Sequence, residues 1–270
     1  MYKLLKKPFF GRFMVEWQNP LPAAQRPEWH PVTTVSESGA VLVGLFAEAL
    51  TAPAKATIVL GHPMGKEAKG YFIKNGYTDL LRRHGYHVAV YDLNGFGESS
   101  HGNFSYFEDV VAIGNAVLAL KPDLPLGYFG ISLGGQWATI AFANARHPYD
   151  FAIVESAATT LEEFWVQFPV AHRALRVLSF FMPAYTKSIR MVERIKEARN
   201  LKSLLLIYSE TDPWTPVEMG QRFQRNSAVP TELWTVPEGR HAQLMKSPHQ
   251  AAYQAKILDY FDQAVAQPRP

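Results

Sequence analysis

Apolar residues along this chain form short unbroken runs, separated by longer stretches in which they recur every three or four positions. Around Glu37-Ser38-Gly39, residues 32–35 and 41–46 run or alternate apolar, which predicts a hairpin opening the fold. The runs at 57–60, 87–91, 126–131, 151–154, 204–208 and 233–236 read as strands, and 71–84, 107–120, 133–146, 217–225 and 250–264 read as helices. Such alternation implies right-handed crossovers. The pattern therefore predicts an α/β fold with a mostly parallel central sheet flanked by helices on both faces.

The alternation is interrupted at about 160–200, a stretch too long for an ordinary strand-to-helix loop and rich in aromatic residues, among them Phe164, Trp165, Phe168, Phe180, Phe181 and Tyr185. It reads as a small helical cap inserted into a domain spanning 31–270, preceded by an N-terminal arm over 1–30. Residues 161–202 carry eight basic and four acidic side chains. One reading is recruitment of anionic substrates. Because the charges are interspersed, a solvated helix face is the preferred one.

Composition narrows the classes. The 270 residues are 47% hydrophobic and 13% aromatic, enough to bury a sizeable core, and the net charge of +3 comes without Lys/Arg blocks. Nucleic acid is excluded as an expected partner. No cysteine is present, so neither a disulfide nor a thiolate site can form. The first fifteen residues are basic, but Lys6, Lys7, Pro8 and Arg12 break their apolar run, which makes a poor signal peptide. With no apolar span of membrane length, a cytoplasmic protein is expected. Residues 3–13 admit two readings, an amphipathic segment making peripheral membrane contact or a packed or frayed arm, and the second is preferred.

The chemistry concentrates after three predicted strands. Gly130-Ile131-Ser132-Leu133-Gly134 places a serine between a strand and a helix, in a turn so sharp that side chains two positions either side would clash. Ser132 then stands at a helix amino end, where backbone N–H groups favour developing negative charge. A serine hydroxyl needs a base, and the base needs an orienting acid. Asp212 follows the strand at 204–208, and His241 follows the strand at 233–236. Glu210 and Glu155, also beyond strand ends, are rival acids. No metal or nucleotide motif occurs, so no cofactor and no metal are expected.

Order, spacing and strand position together make the chain resemble the α/β-hydrolase superfamily from about residue 41 to the end. The resemblance implies a Ser132–His241–Asp212 catalytic triad and an oxyanion hole formed by the Leu133 N–H and a donor from the loop Gly61-His62-Pro63-Met64-Gly65. The family's usual His-Gly is replaced here by His62-Pro63; proline has no N–H, so Met64 is the expected donor. His62 is read as a structural brace. The run from His62 to Glu67 resembles loops of dienelactone-hydrolase-like and peptidase-like branches, and Asp92 to Ser100 resembles the family's structural Asp–Gly turn. Phe164, Trp165, Phe168 and Trp214 are expected to bind the substrate.

The expected activity is cleavage of a carboxylic ester or thioester with an apolar acyl group, through an acyl-enzyme. The alternatives are a peptidase or amidase on short peptides, and a non-catalytic binding protein that keeps the fold.

Overall fold

A computed structural model describes residues 2–267. Eight strands form one sheet: β1 (Trp29–Val35), β2 (Val41–Ala47), β3 (Ala56–Gly61), β4 (Tyr86–Tyr91), β5 (Leu126–Ile131), β6 (Phe151–Glu155), β7 (Ser203–Ser209) and β8 (Thr231–Val236). Their spatial order is β1-β2-β4-β3-β5-β6-β7-β8. β2 pairs antiparallel with both β1 and β4, and the remaining pairs are parallel. The alternation of strands and helices predicts this mostly parallel sheet, and its arrangement is the α/β-hydrolase fold that the resemblance implies.

The helices are α1 (Tyr2–Phe10), α2 (Gly70–Lys74), α3 (Tyr77–Arg83), α4 (Tyr106–Leu120), α5 (Leu133–Ala141), α6 (Leu161–Trp165), α7 (Pro169–Phe181), α8 (Pro183–Ser188), α9 (Met191–Arg194), α10 (Val217–Asn226) and α11 (Gln250–Ala266). Successive residues of the central strands feed opposite cores. On β7, Leu204, Leu206 and Tyr208 join the core beneath α4, α5 and α10, whereas Leu205 and Ile207 join the core beneath α2, α3 and α11. Both faces are therefore dry, and the strands read as continuous apolar runs.

Two helices are shorter than their apolar patterns suggest. The stretch 71–84 is split into α2 and α3 by Gly76, whose φ of +78° is left-handed and ends the first segment. The stretch 133–146 stops being helical after Ala141 and continues as turns towards Pro148. The hairpin begins at Trp29, and its turn is closed by Gly39 at φ +83°.

Helices α6 to α9 fill the insertion between β6 and β7. Thr160 caps α6 by accepting the Glu163 N–H at 3.2 Å, and prolines open α7 and α8 at positions where a missing N–H costs nothing. Glu163 also pairs with Arg222 at 2.6 Å, which ties α6 to α10.

The N-terminal arm is packed. Phe10 of α1 meets Phe96, Tyr106 and Trp165 at ring separations of 5.6 to 5.7 Å, and Phe9 meets Trp165 at 5.4 Å. Lys6 is completely buried. It lies 4.4 Å above the Tyr106 ring and donates to Asn94 Oδ1, and burial pushes its pKa down to about 7 despite the nearby Asp109 carboxylate.

β5 and β3 pack against the start of α5 with no room for side chains. A Cβ on Gly134 would lie 2.1 Å from the Gly61 carbonyl oxygen, and one on Gly130 would lie 2.6 Å from the Gly135 nitrogen. Gly134→Ala should therefore lower stability by about 3 kcal/mol, near the upper end of the usual cost of overpacking, read as a fall in the thermal midpoint of the purified variant.

Candidate active site

β5, β7 and β8 end on one edge of the sheet, and each delivers one side chain to the same point. Ser132 follows β5 in a left-handed conformation, φ +50° and ψ −111°, which only a fixed surround sustains. Its N–H donates to the Glu155 carbonyl oxygen of β6 at 2.8 Å, while the Gly134 N–H donates to the His62 carbonyl oxygen at 3.1 Å. Strand β6 and the loop after β3 thus hold both sides of the turn.

Ser132 Oγ lies 2.8 Å from His241 Nε2, and His241 Nδ1 lies 2.7 Å from Asp212 Oδ2. Asp212 is fully supplied with donors: the Trp214 N–H at 2.9 Å, the Thr215 N–H at 3.3 Å and the Thr215 hydroxyl at 2.7 Å. Burial works against its ionisation. The hydrogen bond and charge of His241, with the donors from Thr215 and Trp214, outweigh that and hold the carboxyl below the usual aspartate range. A charged Asp212 fixes Nδ1 as the protonated nitrogen of a neutral imidazole, which leaves Nε2 as an acceptor for the serine hydroxyl.

The two rival carboxylates lie elsewhere. Glu210 is exposed and accepts from the Thr235 hydroxyl at 3.1 Å. Glu155 is entirely buried behind the turn, where Tyr253 donates to Oε2 and Oε1 has no partner among the described residues. Burial, reinforced by the nearby Asp212 charge, pushes its pKa up to about 8 against the Tyr253 hydrogen bond. It is therefore a neutral acid at pH 7. From Tyr253 a chain of hydroxyls runs through Tyr77 at 3.1 Å and Tyr71 at 3.5 Å to the carbonyl oxygen of Ala242 at 2.6 Å, the residue after His241.

Ser132 and His241 face a cavity of about 390 Å³. Met64, Phe164, Phe168 and Trp214 supply its apolar wall, and Arg12, Lys74 and Lys246 its cations, against Glu67 as the single carboxylate among the described residues. Trp214 stacks 5.0 Å from Phe168 and lies 6.5 Å from the His241 ring. Trp165, grouped with these aromatics on sequence grounds, faces away: one residue along a helix turns about 100°, so it packs on Phe9 and Phe10 of α1 while Phe164 faces the cavity.

Leu133 opens α5 directly after the serine, where a first-turn N–H has no partner within its own helix. Met64 lines the cavity beside Ser132, and Pro63, also on the wall, offers no donor. His62 accepts the Leu93 N–H at Nε2, 3.1 Å, and donates from Nδ1 to the Pro63 carbonyl oxygen at 2.8 Å, so it braces this loop against the one after β4. That second loop is held by Asp92, which accepts from both Lys69 nitrogens and the Glu98 N–H. The structure adds Arg12, Tyr71 and Thr215 to the site. Of these only Thr215 has a local signal, an Asp-x-x-Thr turn.

Among the described residues no group of side chains is arranged to hold a metal ion, and no helix is long and apolar enough to cross a membrane.

A strained serine after the fifth strand, a histidine on the last loop and an acid after the seventh strand define the class, an α/β-hydrolase with serine at the strand-to-helix turn. Residues 52–202 match the hydrolase family described as serine aminopeptidase, S33, and the chain belongs to that family. It is 28% identical over 163 residues to the lysophosphatidylserine lipase ABHD12 of Bos taurus, a match covering 56% of this chain and 40% of the bovine protein. The matched stretch thus spans about two fifths of that relative. In fold it is similar to an esterase of Pyrococcus furiosus, with a TM-score of 0.71 at 15% identity over 92% of this chain and 96% of the other. An acylaminoacyl peptidase of Pyrococcus horikoshii superposes with a TM-score of 0.66 at 15% identity, over 90% of this chain and 43% of the peptidase.

Glu155 gives the protein a distinctive pH dependence. Its folded pKa lies above the usual value of 4.5, so between about pH 4.5 and 8 the folded state binds more protons than the unfolded chain, and this residue's contribution to stability falls as pH rises through that window. Glu155→Gln removes that titration. Denaturant midpoints at pH 5 and pH 8 should show the variant gaining on the wild type at the higher pH; an unchanged difference would mean that Glu155 ionises normally.

Proposed function

We propose that this protein is a serine hydrolase that cleaves carboxylic esters or thioesters with an apolar acyl group through an acyl-enzyme. The observation that carries this reading is the continuous chain from Ser132 Oγ to His241 at 2.8 Å and from His241 to Asp212 at 2.7 Å, open to an aromatic-walled cavity.

Ser132 Oγ attacks the acyl carbonyl carbon as His241 Nε2 takes the hydroxyl proton, and Asp212 stabilises the imidazolium that forms. The carbonyl oxygen becomes an oxyanion that accepts from the Leu133 and Met64 N–H groups. Collapse of the tetrahedral intermediate breaks the bond to the leaving alkoxide or thiolate, which receives the proton from His241. Water then attacks the acyl-enzyme with the same histidine as base, and the freed acid leaves Ser132 as it began. Phe164, Phe168 and Trp214 offer the acyl group an apolar surface.

The family description and the peptidase likeness raise a second reading, an aminopeptidase. Such an enzyme must receive a free ammonium, which calls for carboxylates. Among the described residues Glu67 is the one carboxylate on the wall; it lies 3.6 Å from Lys74, and Arg12 and Lys246 add further positive charge. That balance favours a substrate with an anionic group beside its acyl chain. A lysophospholipid, the substrate class in the bovine relative's name, has both features.

Hydrolysis of p-nitrophenyl esters from acetyl to long acyl chains tests this. Wild type should show a rate that peaks at a chain length set by the cavity, and Ser132→Ala should lower kcat/KM by roughly four to six orders of magnitude. No turnover by folded wild-type protein would overturn the esterase reading. On the same substrates Asp212→Asn should lower kcat by about four orders of magnitude, while Glu210→Ala stays within about twofold of wild type. Equal losses in the two variants would move the acid away from Asp212.

A further inference from the structure

The outer surface of α1 and α7 is apolar where a water-facing surface is ordinarily polar. On α7, Val170, Val177, Phe180 and Phe181 recur at helical spacing and are 69%, 58%, 79% and 74% exposed, while Ala171 and Leu175 on the opposite side are buried. On α1, Leu4 and Leu5 are 66% and 52% exposed. The two helices pack against each other, and a groove of about 270 Å³ between them is lined by Pro8, Phe9 and Val170. Large exposed aromatic side chains clustered on one face mark an interaction surface.

Charge identifies what that surface meets. Residues 2–15 and 164–192 contain no carboxylate at all, although both stretches are basic. Lys3, Lys7, Arg173 and Arg176 are all exposed, and among the described residues none of them pairs with a carboxylate. The ion pairs of this region run instead through Arg194, Lys196 and Arg222. Exposed aromatic and aliphatic tips beside unpaired cations match the boundary of an anionic bilayer, where rings enter the acyl region and ammonium and guanidinium groups stay with the headgroups. The groove adds a second argument. It shares Arg12, Met64 and Phe168 with the cavity holding Ser132, so the apolar surface and the site are continuous.

We propose that α1 and α7 together form a docking face for anionic phospholipid membranes, with Phe180 and Phe181 inserting among the acyl chains and Lys3, Lys7, Arg173 and Arg176 meeting the headgroups.

Co-sedimentation of the full chain with vesicles of phosphatidylcholine alone, or with added phosphatidylserine, tests the face directly and does not depend on catalysis. Wild type should pellet with the phosphatidylserine vesicles, less at high salt and least with phosphatidylcholine alone. Phe180→Ser/Phe181→Ser should weaken binding about tenfold or more while keeping wild-type hydrolysis of a short water-soluble ester, and Arg173→Gln/Arg176→Gln should flatten the salt dependence. Wild type remaining in the supernatant at low salt would overturn the proposal, as would pelleting of the phenylalanine variant to the wild-type extent. A wild-type dimer on gel filtration that the phenylalanine substitutions dissolve, without vesicle binding, would assign the face to a second copy of this chain and overturn it equally.

Discussion

The turn at Ser132 is the constraint around which the rest is arranged. A non-glycine residue at φ +50° is strained, and the protein sustains it by removing side chains wherever backbones approach. Gly130, Gly134 and Gly135 let β5, the turn and the first turn of α5 lie against one another, and Gly61 lets β3 close on them. The same approach sets the loop after β3 beside the serine, through the hydrogen bond from Gly134 to His62. Widening this contact would move the serine and the loop holding Met64 together.

Two carboxylates sit close behind this turn in opposite states, and their surroundings explain why. Asp212 collects two backbone donors, a hydroxyl and an imidazole, so it keeps its charge despite burial. Glu155 has one tyrosine hydroxyl and, among the described residues, no partner for its second oxygen, so burial raises its pKa instead. A neutral Glu155 spares Asp212 a like charge. It also ends the chain of tyrosine hydroxyls that reaches the backbone beside His241, so the histidine loop is referenced to the centre of the sheet rather than left to solvent.

What could be read from the sequence was whatever is local or periodic. Strands buried on both faces announce themselves as apolar runs, and the glycines about Ser132 announce the turn, because in each case the physical demand falls on adjacent residues. Asp212 and His241 were legible because a parallel sheet sends every strand end to the same edge. Arg12 was not, since it reaches the cavity only after an arm more than a hundred residues distant in sequence has packed on Trp165. The direction of Trp165 was hidden for the same reason. Gly76 does mark the break between α2 and α3, but an apolar repeat continues across it and masks the break.

The position of α1 has a consequence for how the molecule is born. Its Phe10 rests on Phe96, Tyr106 and Trp165, and its Lys6 bonds to Asn94, so every partner it needs is synthesised later. A ribosome-bound chain emerges amino end first. Helix α1 must therefore wait, with Phe9 and Phe10 uncovered, until the cap has been translated, and the wall containing Arg12 closes only after that.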